Sequence, residues 1–191
     1  MFMRRILLPA LVAGMCLSLA ACSDEKKVEA KNESVAEVAK KVAASDIRFT
    51  PGRWETTVKI EKMEIEGISP EAKAAMQQAM GQARTMSSCL TKEQVEKPNS
   101  EFFGQVGDGC KYDSFTMAGG KLDAKMTCKT ASGEQVVTMG GTYTPESYDA
   151  TMNMDGKGPN GKAMAMAMSM KSKRAGECTG AEDVTPQPPA K

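Results

Sequence analysis

Sulfur supplies most of the potential chemistry in this sequence, because histidine is absent while cysteine occurs six times and methionine sixteen. Without an imidazole there is no Ser-His-Asp or Cys-His nucleophile, no histidine general base and no histidine-ligated metal. The cysteines divide by position. Leu19-Ala20-Ala21-Cys22 closes a mostly apolar stretch, Ile6 to Ala21, that follows Arg4 and Arg5. That is the pattern of a bacterial export signal ending in a lipoprotein box. Cleavage before Cys22 would make it the mature N-terminus, carrying a thioether-linked diacylglycerol and an amide-linked acyl chain, and would remove Cys16. A spanning helix is the alternative, but the run falls short of the ~20 apolar residues a bilayer requires. It also contains Pro9 and meets Asp24-Glu25-Lys26-Lys27 at once. Ser23 after the cysteine points to sorting to the outer membrane, with the protein on its periplasmic face.

Export changes the reading of the remaining cysteines, Cys89, Cys110, Cys128 and Cys178. An even number in an oxidising compartment implies two disulfides. A four-cysteine zinc site fits poorly, since the spacings are wide and no C-x-x-C occurs. Three connectivities are open, and Cys110–Cys128 with Cys89–Cys178 is preferred because the first pair would face across a short hairpin.

The methionines admit three readings. Thioethers are soft ligands suited to Cu(I), and Met152, Met154, Met164, Met166 and Met168 are the candidates. Alternate residues of one strand stand roughly 6.8 Å apart, so such a site requires the two segments to be neighbours. Methionine also lines adaptable apolar cavities, and it fills cores in a chain with only 5% aromatic residues. The last reading assigns no metal and no cofactor. Two short motifs carry little. Ser23 to Lys26 fits S-x-x-K but lies beside the lipid site. Gly156 to Gly161 fits G-x-G-x-x-G, yet Pro159-Asn160-Gly161 reads as a turn between strands rather than a phosphate loop opening a helix.

The elements that must position these residues are mainly strands. Trp54, Thr56, Val58 and Ile60 alternate with polar residues, and the parity then flips to Met63 and Ile65, which a bulge near Glu61–Lys62 would accommodate. Ser69-Pro70 starts a helix with Ala72, Met76, Ala79, Met80 and Ala83 as its apolar stripe. Thr91 and Gln94 form a capping box for a short second helix ended by Pro98. Lys111–Met117 and Leu122–Cys128 flank Ala118-Gly119-Gly120 as a hairpin. Glu134–Tyr143 and Tyr148–Met154 follow. Lys162–Lys171 has helix-forming composition, but only a strand gathers Met164, Met166, Met168 and Met170 on one face. The expected class is mainly β (α+β): an antiparallel meander of about seven strands curled into a half-barrel or barrel, with one crossing helix and one short helix.

Composition sets the remaining boundaries. Residues 1–21 form the signal, and 22–45 the lipidated cysteine and a flexible tether, since a Lys-, Glu- and Ala-rich stretch buries too little to offset chain entropy. Val35, Val38 and Val42 fall at helical spacing within it. Residues 46–180 form one β-rich domain, and 181–191 a disordered tail. Loss of Arg4 and Arg5 takes 25 basic residues to 23, against 24 acidic ones. A near-neutral chain lacks the basic patch that nucleic acid requires.

Gly52-Arg53-Trp54-Glu55, Cys89-Leu90-Thr91, Cys110, Cys128 and Arg174-Ala175-Gly176-Glu177-Cys178 together resemble a proteobacterial family of unknown function. Its members are small exported proteins or lipoproteins that open with G-x-W-E, close with R-x-G-x-C and carry four cysteines. The resemblance covers residues 51–178 and implies an exported β-rich fold with disulfides. It implies no activity. The reading as a whole is a membrane-anchored, non-catalytic protein that binds a small hydrophobic ligand or an envelope protein. Cu(I) binding is the alternative.

Overall fold

The computed structural model describes residues 27–97, 109–158 and 161–182. The signal, Cys16, Cys22, Pro98 and the tail beyond Glu182 lie outside them. Eleven elements follow in chain order: β1 (Lys27–Ser34), α1 (Val35–Ala44), β2 (Gly52–Ile65), α2 (Pro70–Met80), β3 (Arg84–Leu90), α3 (Lys92–Glu96), β4 (Cys110–Ala118), β5 (Lys121–Thr130), β6 (Gly133–Thr144), β7 (Ser147–Lys157) and β8 (Ala163–Gly176). The strands make one antiparallel sheet in the order β1-β4-β5-β6-β7-β8-β2-β3. It curls without closing, so the half-barrel alternative fits and the closed barrel does not.

The sequence patterns explain the meander. Glycines at the β4–β5 turn take positive φ, 55° at Gly119 and 75° at Gly120, which a tight hairpin requires. The register of β2 on β8 shifts between Ile60 and Lys62, at the expected bulge. One extra residue there returns Met63 and Ile65 to the face held by Trp54 and Ile60. In β8 the alternation of Ala and Met prevails over helix propensity, because a strand alone sets all four methionines on one face, half-buried between β7 and β2. The caps of α2 and α3 are also as read: Ser69 Oγ accepts from Ala72 N at 3.2 Å, and Thr91 with Gln94 forms a reciprocal box. The stripe on α2 is corrected. None of its residues is buried, Met76 is half-buried, and Met80 remains 38% exposed.

The larger correction is the tether. Residues 27–44 are folded: β1 pairs with β4 from Lys27↔Ala118 to Ser34↔Lys111, and α1 packs against both. This adds an eighth strand and moves the start of the folded unit from 46 to 27. Val28 and Ala30 point inward from β1, and Val35, Val38 and Val42 point down from α1. They form one core with Tyr112, Phe115, Met117, Met126 and Val137. Ser34 and Glu37 cap α1 reciprocally, the backbone N of Ser34 donating to Glu37 Oε2 at 2.8 Å. That hydrogen bond, then the one from the Ser34 hydroxyl, holds the Glu37 carboxyl below its usual range.

Two disulfides secure the sheet: Cys110–Cys128 joins directly opposed residues of β4 and β5, and Cys89–Cys178 ties β3 to the chain after β8. This is the preferred pairing.

Candidate functional site

The inner face of the sheet has two unlike halves. Across β1, β4, β5 and β6 it is sealed by α1 and the chain after it. Ile47 is buried, and Phe49 meets Tyr143 and Trp54 edge-on with centroids 6.2 and 5.8 Å away. Met117 and Met126 here are only 5% and 7% exposed. Across β7, β8 and β2 the same face carries Met152 and Met154, Met164 to Met170 at alternate positions, and Val58, Ile60, Met63 and Ile65. All of these are half-buried.

The difference follows from dimensions. A helix with side chains is about 10 Å wide and strands are spaced about 4.8 Å, so α1 covers only two or three of eight. The other long helix, α2, lies along β2 and borders this area there, with Met76 and Met80 beside Ile60 and Met63.

The register arranges the open half in transverse rows. Met152 stands opposite Met168, which stands opposite Ile60; Met154 stands opposite Met166, which stands opposite Met63. The structure therefore makes the two methionine segments neighbours, and adds Met63, which sequence analysis placed on the strand but not among the candidates. Only the register of the bulged β2 reveals it. Polar groups border the rows at one end. Tyr148 donates its hydroxyl to Met170 Sδ at 3.4 Å, and buried Ser172 shares a 2.7 Å hydrogen bond with Thr56. At the other end an open cleft of about 480 Å³ is lined by Ile65, Met164 and Gly156 among Glu64, Lys73 and Asp155. A smaller one, about 230 Å³, separates Met76 and Met80 of α2 from Ile60 and Met63.

Glu61 is held below its usual range by Lys59 and then by the Ser169 hydroxyl, but it projects from the outer face. Burial raises the phenols of Tyr112 and Tyr143, both under the sealed half. Among the described residues no group of three His, Cys, Asp or Glu side chains is placed to hold a metal ion. The G-x-G-x-x-G segment opens no helix: Gly156 and Lys157 end β7, Gly161 N donates to Gly158 O at 2.8 Å, and β8 follows, while the turn expected at Pro159 and Asn160 lies outside the described residues.

Of the residues that carried the family resemblance, 52–55 and 174–176 form a clasp at one sheet end, whereas Cys110–Cys128 lies across β4 and β5. Gly52 has φ 137°, and a Cβ there would lie 2.4 Å from the Gly176 carbonyl and 2.8 Å from Arg174 Nε. That space lets Arg174 Nε reach the Pro51 carbonyl at 2.7 Å, while Arg53 Nη2 reaches the Ala175 carbonyl at 3.1 Å. Trp54 is 4% exposed, stacks on Tyr148 and donates to the Thr50 carbonyl at 3.1 Å. The glycine and arginine contacts join the start of β2 to the close of β8, and Trp54 ties β2 to β7 and to the chain before it. The motif is structural.

Fold and face together define a disulfide-bonded, open antiparallel sheet with one uncovered apolar half. The family of proteins of unknown function designated DUF3617 matches residues 49–178, and the chain belongs to it. No curated protein and no solved structure matches.

Proposed function

We propose that this chain is an exported lipoprotein, held at the periplasmic face of the outer membrane by acylated Cys22, that binds a hydrophobic ligand without catalysing a reaction. The observation carrying the reading is the methionine-rich half of the inner face, whose methionine, isoleucine and valine side chains are contiguous in register and only half-buried. Contiguous apolar patches of this kind mark ligand or partner sites. Flexible thioether side chains fit acyl or other irregular apolar shapes. The shifted carboxylates sit at helix caps, surface pairs and the Thr179 turn, which supports binding over acid–base chemistry.

Anchoring would also place the domain close to the bilayer. Residues 23–26 alone separate Cys22 from Lys27 at the start of β1. That distance cannot exceed about 18 Å fully extended. The folded unit would therefore rest against the headgroups, within reach of lipid as a ligand.

Two measurements test this. Cys22→Ser in the full chain must abolish incorporation of labelled fatty acid and release from the signal. Native mass spectrometry of the wild-type chain should show co-purified lipid that Met168→Asp removes, with the fold retained by circular dichroism. A wild-type chain that carries no apolar ligand and takes up no fluorescent fatty acid refutes the ligand reading. Capture of an envelope protein that the same variant releases would assign the face to a partner.

A further inference from the structure

The bulge in β2 has an outcome beyond restoring packing. It turns Met63 inward at the register position where Met166 of β8 and Met154 of β7 already stand. Three methionines thus occupy one transverse row across three adjacent strands, all half-buried on the open face. The outer two Cβ atoms are separated by two strand spacings, about 10 Å, with Met166 midway. Each outer sulfur, placed by two rotatable bonds, reaches inward by roughly 3 Å. The three sulfurs can therefore converge above Met166. The next row, Met152–Met168–Ile60, walls that point with apolar side chains.

We propose that Met63, Met154 and Met166 form a three-thioether site for Cu(I). Neutral, polarisable sulfur selects a soft monovalent ion, whereas the hard and borderline divalent ions require the carboxylate, imidazole or thiolate ligands this face lacks. Both disulfides leave Cys89, Cys110, Cys128 and Cys178 without thiolates to compete. The site shares its face with the hydrophobic ligand but is independent of it, since the sulfurs coordinate whether or not an acyl chain is bound alongside.

The test uses the full chain in detergent, disulfides intact and free thiols blocked by alkylation, titrated anaerobically with Cu(I) bicinchoninate. The wild-type chain should withdraw one equivalent, and copper K-edge absorption should show a shell of sulfur only. Met166→Leu, Met154→Leu and Met63→Leu each keep the volume of the face and should weaken Cu(I) binding about tenfold or more. Met86→Leu, exposed on β3, should leave it unchanged. Failure to withdraw Cu(I), a nitrogen or oxygen shell, or undiminished binding in the triple Leu variant overturns the site. Where a variant does not fold, the wild-type spectrum decides.

Discussion

Val38→Ala is the sharpest test of the folded N-terminal segment. Val38 is 0% exposed and lies on α1, in residues whose composition reads as a tether. Truncation removes two buried carbons, worth about 1.6 kcal/mol at ~0.8 kcal/mol each, and leaves a small cavity under the helix, giving a loss of about 2 kcal/mol. For a folded unit of this size that lowers the midpoint by about 4–8 °C. Trp54, the sole tryptophan, reports the transition from β2, remote in sequence from the mutation. Thermal and urea unfolding of the oxidised chain should agree, with Ala36→Ser on the exposed side of α1 as control. Stability of Val38→Ala within about 0.5 kcal/mol of wild type, the range of surface substitutions, would refute the packing of α1. It would also remove the support for the proposed closeness to the bilayer, which depends on β1 being folded.

The remaining perturbations probe the clasp, the staples and the cap. Gly52→Ala should destabilise by about 2 kcal/mol or more, from an unfavourable positive φ and the approach to Gly176; a calorimetric midpoint equal to wild type would contradict the clasp. Loss of Cys89–Cys178, with sequence separation 89, should cost about 1.4 kcal/mol more than loss of Cys110–Cys128, with separation 18, if unfolded-chain entropy governs. Paired Ser variants compared in urea measure the difference. The folded carboxyl of Glu37 lies below its ordinary value of 4.5, so its contribution is complete above 4.5 and disappears as pH falls through the folded value. Glu37→Gln, which can keep the reciprocal box as Gln94 does at α3, should flatten that part of an acid unfolding curve and change neutral stability only through the lost charge.

What the sequence disclosed depended on how many residues each pattern used. Tyr148, Ala150, Met152 and Met154 declare β7, and four alternating methionines outweigh the helix-forming composition of β8. The flip from Ile60 to Met63 locates the bulge. By contrast, β1 is an edge strand with only Val28 and Ala30 inward, and its lysines and glutamates face solvent as edge strands favour. Two apolar residues cannot announce a strand. Likewise α1 is too short to persist alone, and the sheet beneath its valines is what makes it a helix. Strand β3 has no alternation and is held by β2 and Cys89. The open face was invisible for the same reason. Which methionines stay half-buried depends on where α1 lands, and that is a tertiary fact.

The placement of α1 also bears on what the face is for. The family match begins at residue 49, after β1 and α1. The matched region alone would leave its apolar face open from Phe115 across to Met63. In this chain an amphipathic helix of the protein itself covers β1 and β4, presenting Val35, Val38 and Val42 to the sheet. The covered half shows the occupant such a surface accepts: a narrow apolar stripe laid on flexible side chains. The uncovered half repeats that chemistry with more sulfur and less shape. An apolar ligand there would meet the same kind of surface that α1 meets.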